Sequence, residues 1–339
     1  MKHRKIALAA AGLGAAVVGR TIWRRLRRID LRGKVVLITG GSRGLGFAMA
    51  REFANHGARL VICARDQYEL ALASQDLEAQ GAEVLAVRCD VAQQGEVEEM
   101  IRQALARFGT VDVLVNNAGI ISVGPLEVQR REDFEEAMAV IFWGSVNPTL
   151  ALLPHMRERG RGHIVNITSI GGRVSVPHLL PYNCAKFAVV GFSEGLRAEL
   201  AKDGVRVTTV VPGLMRTGSY MNAFFKGKHR AEYTWFSLSS TSPLTTMSAQ
   251  RAARAVVQAV RDYDSEVVLT PQAKLLSLFH GMFPGLTTDI LALVNRLLPG
   301  PGGVREAKLR GYESETPVTR SFLTKLGREA ARDLNQQTA

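Results

Sequence analysis

The chain is poor in cysteine. Its 339 residues hold three, Cys63, Cys89 and Cys184, an odd count with no CxxC pair. That argues against a disulfide framework and a cysteine-built zinc site, and it fits a reducing compartment. His155, His163 and His178 stand at no metal-ligand spacing and read as surface or packing residues, so no metal is expected. Internal repeats and low-complexity tracts are absent. Acidic residues are in deficit, 31 against 43 Lys and Arg, for a formal charge of +12. The deficit is local. Residues 1–32 hold nine Lys/Arg and one Asp, so the remaining body is nearly balanced. That body has no basic stripe or aromatic platform, which excludes a nucleic-acid binder. With 46% hydrophobic and 22% charged residues, the composition is globular; it excludes a disordered chain and a polytopic membrane protein.

The N-terminal segment reads MKHRK, then the 14-residue apolar run IALAAAGLGAAVVG (6–19), then RTIWRRLRR. As a helix the run is about 21 Å long, short of a hydrocarbon core of about 30 Å. Three readings fit: a signal peptide, a membrane anchor, or a helix packed on the body or a partner. Arginines directly after the run disfavour export. An apolar run with two basic flanks favours the anchor, spanning or interfacial, over residues 1–30. The heavier positive flank follows the run and places the body in the cytoplasm. A soluble cytoplasmic protein is the alternative.

From residue 34 short apolar runs alternate with helical patterns. Val35–Thr39, Leu60–Ala64, Val84–Arg88, Val113–Asn116, His163–Thr168, Val205–Val210 and Glu266–Leu269 read as buried parallel strands. Helical period marks 44–57, 67–80, 94–108, 131–158, 181–202 and 248–261. This predicts a doubly wound, Rossmann-type α/β fold with a seven-stranded parallel sheet, a single domain over 31–271. Two regions lie outside the alternation. Residues 214–247 form an aromatic insertion expected to be an irregular lid, with Tyr220, Phe224, Phe225, Tyr233, Trp235 and Phe236 read as a substrate wall. Residues 272–339 form a C-terminal extension, apolar and amphipathic at first, then polar.

The first strand runs into TGGSRGLG, Thr39–Gly46. Gly40, Gly44 and Gly46, with Ser42, Arg43 and Leu45 between them, form a turn that lets a diphosphate approach the backbone. The next helix offers its N-terminal N–H groups to that diphosphate. The second strand ends in Ala64-Arg65 where NAD-selective sheets place an acidic residue. Arg43 and Arg65 suit a ribose 2′-phosphate, so NADP(H) is expected in preference to NAD(H). Asp66 is either a counter-signal or the cap of the following helix. Ser169 closes the fifth strand region; Tyr182 follows thirteen residues later and Lys186 four after that. Tyr182 and Lys186 share a helix face, and an ammonium near a phenol lowers its pKa. Tyr182 can then exchange a proton with a substrate oxygen that Ser169 holds. Cys184, inside YNCAK, reads as a packing residue.

These residues resemble the classical short-chain dehydrogenase/reductase family over about 33–270. The resemblance rests on TGGSRGLG, Cys89-Asp90-Val91, NNAG (116–119), Ser169, YNCAK (182–186) and VPG (211–213) followed by Thr217. It implies Asp90 and Val91 beside the adenine, Asn117, Ala118 and Gly119 shaping the fourth strand end, Pro212, Gly213 and Thr217 flanking the nicotinamide, and Lys186 also on its ribose. It implies Tyr182 as general acid/base and a dimer or tetramer. One position departs from the family pattern: Ile141, in Ile141-Phe142-Trp143-Gly144, stands where the family has an asparagine that helps hold a relay water. Ser145 is the nearest polar substitute on that helix face. The expected function is an NADP(H)-dependent oxidoreductase of an alcohol/carbonyl pair, lipophilic given the apolar insertion and the anchor. The rival is a non-catalytic or weakly active dinucleotide-binding sensor or scaffold.

Overall fold

The computed structural model describes residues 28–336. The apolar run 6–19 and its first basic flank lie outside the described residues.

Seven strands form one parallel sheet: β1 (Val35–Thr39), β2 (Arg59–Ala64), β3 (Val84–Arg88), β4 (Val113–Asn116), β5 (Gly162–Ile167), β6 (Val205–Val211) and β7 (Glu266–Val268), in spatial order 3-2-1-4-5-6-7. β1 lies inside the sheet between β2 and β4, and all five of its residues are buried, as expected for a strand covered on both faces. The order reverses between β1 and β4, and ligands bind beyond the carboxyl ends of strands at such a switch point. The fold expected from the alternation is the fold observed.

Helices α1 (Gly44–Asn55), α2 (Gln67–Ala79), α3 (Gln94–Phe108), α4 (Arg131–Ala137), α5 (Gly144–Glu158), α6 (Leu180–Leu200) and α8 (Ala249–Arg261) cover the sheet. Two cores result. Phe47, Met49 and Phe53 of α1 meet Val256 and Val260 of α8 on one face; Met100 and Ile101 of α3 meet Leu152 and Met156 of α5 on the other. Asp66 caps α2 by accepting the Glu69 N–H at 2.9 Å, which settles its role as a cap. A π-helical segment, Met138–Trp143, joins α4 to α5. Among the described residues, the run Arg131–Glu158 alone is long and apolar enough to cross a membrane, but 56% of its apolar window is buried inside the protein. It is a core helix.

The insertion is ordered rather than irregular. It contains α7 (His229–Thr241) and the two-residue strand Phe224–Phe225. That strand pairs parallel with Ser122–Val123 and antiparallel with Leu309–Arg310 of the C-terminal extension. Tyr220, Phe225 and Tyr233 form a separate small core with Ala331 of the last helix, α11 (Lys325–Asp333). These aromatics bury their area against the extension instead of lining a substrate wall. Between the sheet and α11, helices α9 (Pro271–Met282) and α10 (Pro284–Asn295) carry exposed Leu275, Leu278, Met282, Leu286 and Leu293.

Candidate active site

The β1–α1 turn is built by a clamp beneath it. Asn117 Nδ2 donates to the carbonyls of Thr39 (2.9 Å) and Gly40 (3.1 Å), while Thr39 Oγ1 accepts from the amides of Asn117 and Ala118 at 2.9 and 3.1 Å. The clamp ties the ends of β1 and β4 together. Gly40 and Gly44 adopt φ of +64° and +58°. A Cβ on Gly46 would lie 2.0 Å from the Gly40 carbonyl oxygen, so only glycine fits there. The α1 N-terminus lines the cleft through Gly44, Leu45 and Gly46, with the Gly44 N–H held by the Leu334 carbonyl at 2.9 Å.

Beyond the turn, Arg43 Nη1 meets Glu69 Oε1 at 2.7 Å, and Ser42 Oγ donates to Glu69 Oε2 at 3.4 Å. Burial, together with Asp66, pushes the Glu69 carboxyl up against the pull of Arg43. Arg65 has a looser partner, Asp90, at 3.9 Å. Glu69 is thus a resident acceptor in the region where the sequence placed two free guanidiniums. Its signal was present: Asp66-x-x-Glu69 has capping-box spacing, but the Glu69 side chain turns to Arg43 instead.

On the other side of the switch point stand Ser169, Tyr182 and Lys186. Ser169 Oγ accepts the Gly171 N–H at 3.0 Å and shares the cleft with the Tyr182 phenol. Lys186 Nζ donates to the Ile167 carbonyl at 2.7 Å and lies 5.7 Å from the Tyr182 ring centroid. Burial pushes the phenol up, with Ser169 opposing, and pushes Lys186 down to about 8. Burial outweighs the expected lowering of the tyrosine by the lysine, and the net shift is upward. In this arrangement Tyr182 holds its proton at neutral pH, which suits proton donation.

Ile141 lies in the π segment, buried with Ala185, Val189 and Tyr182 against it. Ser145 does not replace the missing amide, because its hydroxyl donates to the Ile141 carbonyl at 2.8 Å. Asn147 points away, donating to the Val91 carbonyl at 3.1 Å. The polar side chains of this region pair elsewhere: Asn116 donates to Thr149 (3.0 Å) and Asn166 (2.9 Å), and Asn166 to Ser193 (3.0 Å). An Ile141→Asn variant is expected to raise kcat several-fold with KM little changed, by restoring a polar group beside Lys186. Unchanged or lower kcat with an accepted substrate would show that the isoleucine does not limit proton transfer.

One cleft of about 850 Å³ brings together Gly40, Ser42, Arg43, Gly44, Leu45, Gly46, Arg65, Asp90, Val91, Asn117, Ala118, Gly119, Ser169, Tyr182, Lys186, Pro212, Gly213 and Thr217. The motif residues named from the sequence therefore share one wall-to-wall space, at the upper end of ligand-pocket sizes of roughly 300–1,000 Å³. Of the insertion aromatics, Trp235 and Phe236 reach it, with Leu179, Leu214 and Leu276 beside them. Trp235 is held by its indole N–H on Glu232 (2.7 Å), which also bonds the buried His178 at 2.8 Å. Arg310 and Gln336, from the extension, line it as well; no local spacing announces them. His163 is a packing residue, stacked on Tyr263 and pushed down to about 3 by burial. Among the described residues no His/Cys/Asp/Glu group could hold a metal.

A glycine-turned helix N-terminus thus faces Ser169, Tyr182 and Lys186 across the switch point. The short chain dehydrogenase family model matches residues 34–226. SadH of Mycobacterium tuberculosis is 38% identical over 248 residues, covering 72% of this chain and 89% of that protein. Mouse dehydrogenase/reductase SDR family member 7B is 33% identical over 281 residues, covering 80% and 85%. A short chain dehydrogenase/reductase from Burkholderia phymatum, solved with NAD, superposes with a TM-score of 0.70 at 27% identity, covering 76% of this chain and 96% of that one. A gluconate 5-dehydrogenase from Burkholderia cenocepacia, solved with NADP and tartrate, superposes with a TM-score of 0.64 at 28% identity, covering 74% and 99%. The chain belongs to the short-chain dehydrogenase/reductase family of NAD(P)-binding oxidoreductases.

Proposed function

We propose that the protein is an NADP(H)-dependent oxidoreductase that interconverts a lipophilic alcohol and its ketone or aldehyde. The observation that carries this reading is the convergence of Ser169, Tyr182 and Lys186 on the cleft that the glycine turn closes. The turn fits a dinucleotide, because Gly46 leaves no room for a side chain and Gly44, Leu45 and Gly46, at the start of α1, line the space. When bound, the nicotinamide supplies or accepts a hydride at the substrate carbon. Ser169 hydrogen-bonds the substrate oxygen. Tyr182 donates a proton to that oxygen in reduction and removes it in oxidation. Lys186 stabilises the phenolate that proton donation leaves behind. Asp90 and Val91 would hold the adenine, Lys186 the nicotinamide ribose, and Pro212, Gly213 and Thr217 the nicotinamide.

Arg43 and Arg65 support the choice of NADP(H), with Glu69 the acceptor that a 2′-phosphate displaces. Trp235, Phe236, Leu179, Leu214 and Leu276 support a lipophilic substrate. The exposed leucines of α9 and α10, next in sequence to cleft-lining Leu276, support delivery from a membrane surface, and the composition of residues 1–30 supports an anchor with the body in the cytoplasm. Family resemblance supports a homo-oligomer. Calorimetry on the full-length protein tests the cofactor. NADPH is expected to bind at least about tenfold more tightly than NADH, and Arg43→Ala or Arg65→Ala to remove most of that difference, each charge-assisted contact contributing about 1.5–3 kcal/mol. Equal affinities in the wild type would reverse the assignment.

A non-catalytic sensor is the second reading, favoured by Ile141 alone. It requires that no alcohol or carbonyl turns over.

A further inference from the structure

We propose that Arg310, in the C-terminal extension, is a phosphate-binding residue of the dinucleotide site. The inference rests on the nucleotide-binding reading above and adds a residue from outside the matched region 34–226.

Arg310 lies in the short strand that pairs with Phe224–Phe225. Its guanidinium carbon is 3.9 Å from the Phe224 ring centroid, and its Nη1 donates to the Asn222 carbonyl at 2.8 Å. Asn222 Nδ2 in turn donates to Gln336 Oε1 at 2.7 Å. Gln336 sits directly on the glycine turn: a Cβ built on Gly44 would lie 2.5 Å from its Nε2. Next to it, the Leu334 carbonyl accepts the Gly44 N–H at 2.9 Å, and Asn335 Nδ2 donates to the Ser42 carbonyl at 3.2 Å. The extension therefore roofs the glycine turn, and Arg310 is joined to that roof through Asn222.

Arg43, Arg65 and Arg310 line the same cleft. Arg43 has Glu69 and Arg65 has Asp90. Among the described residues, no carboxylate forms an ion pair with the Arg310 side chain. Burial, then the charges of Arg43 and Arg65, push its proton affinity down against the weaker opposing pull of Tyr312 and Glu136, so the three guanidiniums share one field. A guanidinium has five N–H donors. One is used on Asn222, and the ring face fixes the plane. The remaining donors form a fork suited to phosphate oxygens. An arginine serving only to fasten the extension would gain more from a carboxylate than from two like charges.

Both the diphosphate and the ribose 2′-phosphate offer that chemistry, and binding measurements separate them. Calorimetry compares full-length wild type, Arg310→Gln and Arg310→Lys with NADPH, NADH and adenosine. Melting without nucleotide reports folding. Arg310→Gln is expected to weaken NADPH about 10- to 100-fold, the loss of one charge-assisted contact of about 1.5–3 kcal/mol, with adenosine affinity unchanged. Arg310→Lys keeps the charge without the fork and is expected to fall between; it carries the comparison if Arg310→Gln melts early. Equal weakening of NADPH and NADH assigns Arg310 to the diphosphate, and weakening of NADPH alone assigns it to the 2′-phosphate. Folded variants that bind NADPH within about twofold of a binding wild type overturn the inference and leave the nucleotide reading standing. A folded wild type that binds neither nucleotide overturns both.

Discussion

A Tyr182→Phe enzyme is expected to lose about 10²- to 10⁴-fold in kcat, the usual contribution of a positioned general acid. Its nucleotide affinity should change no more than about tenfold, since only one hydrogen-bonding hydroxyl is removed. The split matters more than the size of the loss. Equal losses in binding and turnover would mean a damaged cleft, whereas turnover lost alone identifies the proton donor. A wild type that turns over no carbonyl, yet binds nucleotide, would instead establish the sensor reading. The pH profile adds an independent sign. Burial holds the Tyr182 phenol above its ordinary value of 10.0, so it keeps its proton through neutral and mildly alkaline pH. Lys186, pushed down to about 8, loses its charge first. Below that pH its ammonium supports the phenolate formed in reduction; above it the support is gone. The kcat/KM for carbonyl reduction should therefore be level at neutral pH and fall as pH rises through about 8. A rate that stays level to pH 10 would remove Lys186 from the proton step.

What the sequence disclosed and what it hid follow one physical rule. The seven strands were legible because a strand buried on both faces must be a short apolar run, as Val35–Thr39 is. Tyr182 and Lys186 were legible because four residues is one helical turn. The glycine turn was legible because its conformations exclude other residue types. Interactions between distant segments left no such trace. Arg43 finds Glu69 across 26 positions, and Arg310 finds Asn222 across 88. The insertion reads as irregular because α7 ends in Ser237, Ser239, Ser240 and Thr241, weak helix formers around the single Leu238. Its helix is stabilised instead by Tyr233 and Phe236, buried in a core that includes Ala331, nearly a hundred residues further on. Tertiary packing overrides propensity here, and only the fold shows it.

The same rule locates the largest stability effect outside the cleft. Asp133, on α4, is buried and bonded by Lys226 of the insertion and Lys308 of the extension, the latter at 2.9 Å. Lys226 is itself 1% exposed. This buried set ties three segments that neighbour nothing in sequence, and through Lys308 it anchors the start of the Leu309–Arg310 strand. Burial alone would push the Asp133 carboxyl up, but Lys226, Lys308 and the Arg130 N–H together hold it below its usual 3.8. Its contribution is therefore intact above pH 4 and fades only in stronger acid. Removing one partner leaves a buried charge incompletely paired, which costs about 3–5 kcal/mol in comparable sites. Asp133→Leu is expected to destabilise by that amount, because Lys226 then has no ion-pair partner among the described residues. Asp133→Leu combined with Lys226→Met removes both charges and is expected to recover most of the loss, since apolar replacements of buried pairs are often neutral. Urea unfolding of the two variants and wild type measures it. A double variant as unstable as Asp133→Leu would mean that the cost arises from packing and not from an orphaned lysine. A single variant within about 1 kcal/mol of wild type would mean that water reaches Lys226, and that this ion set does not fasten the extension to the body.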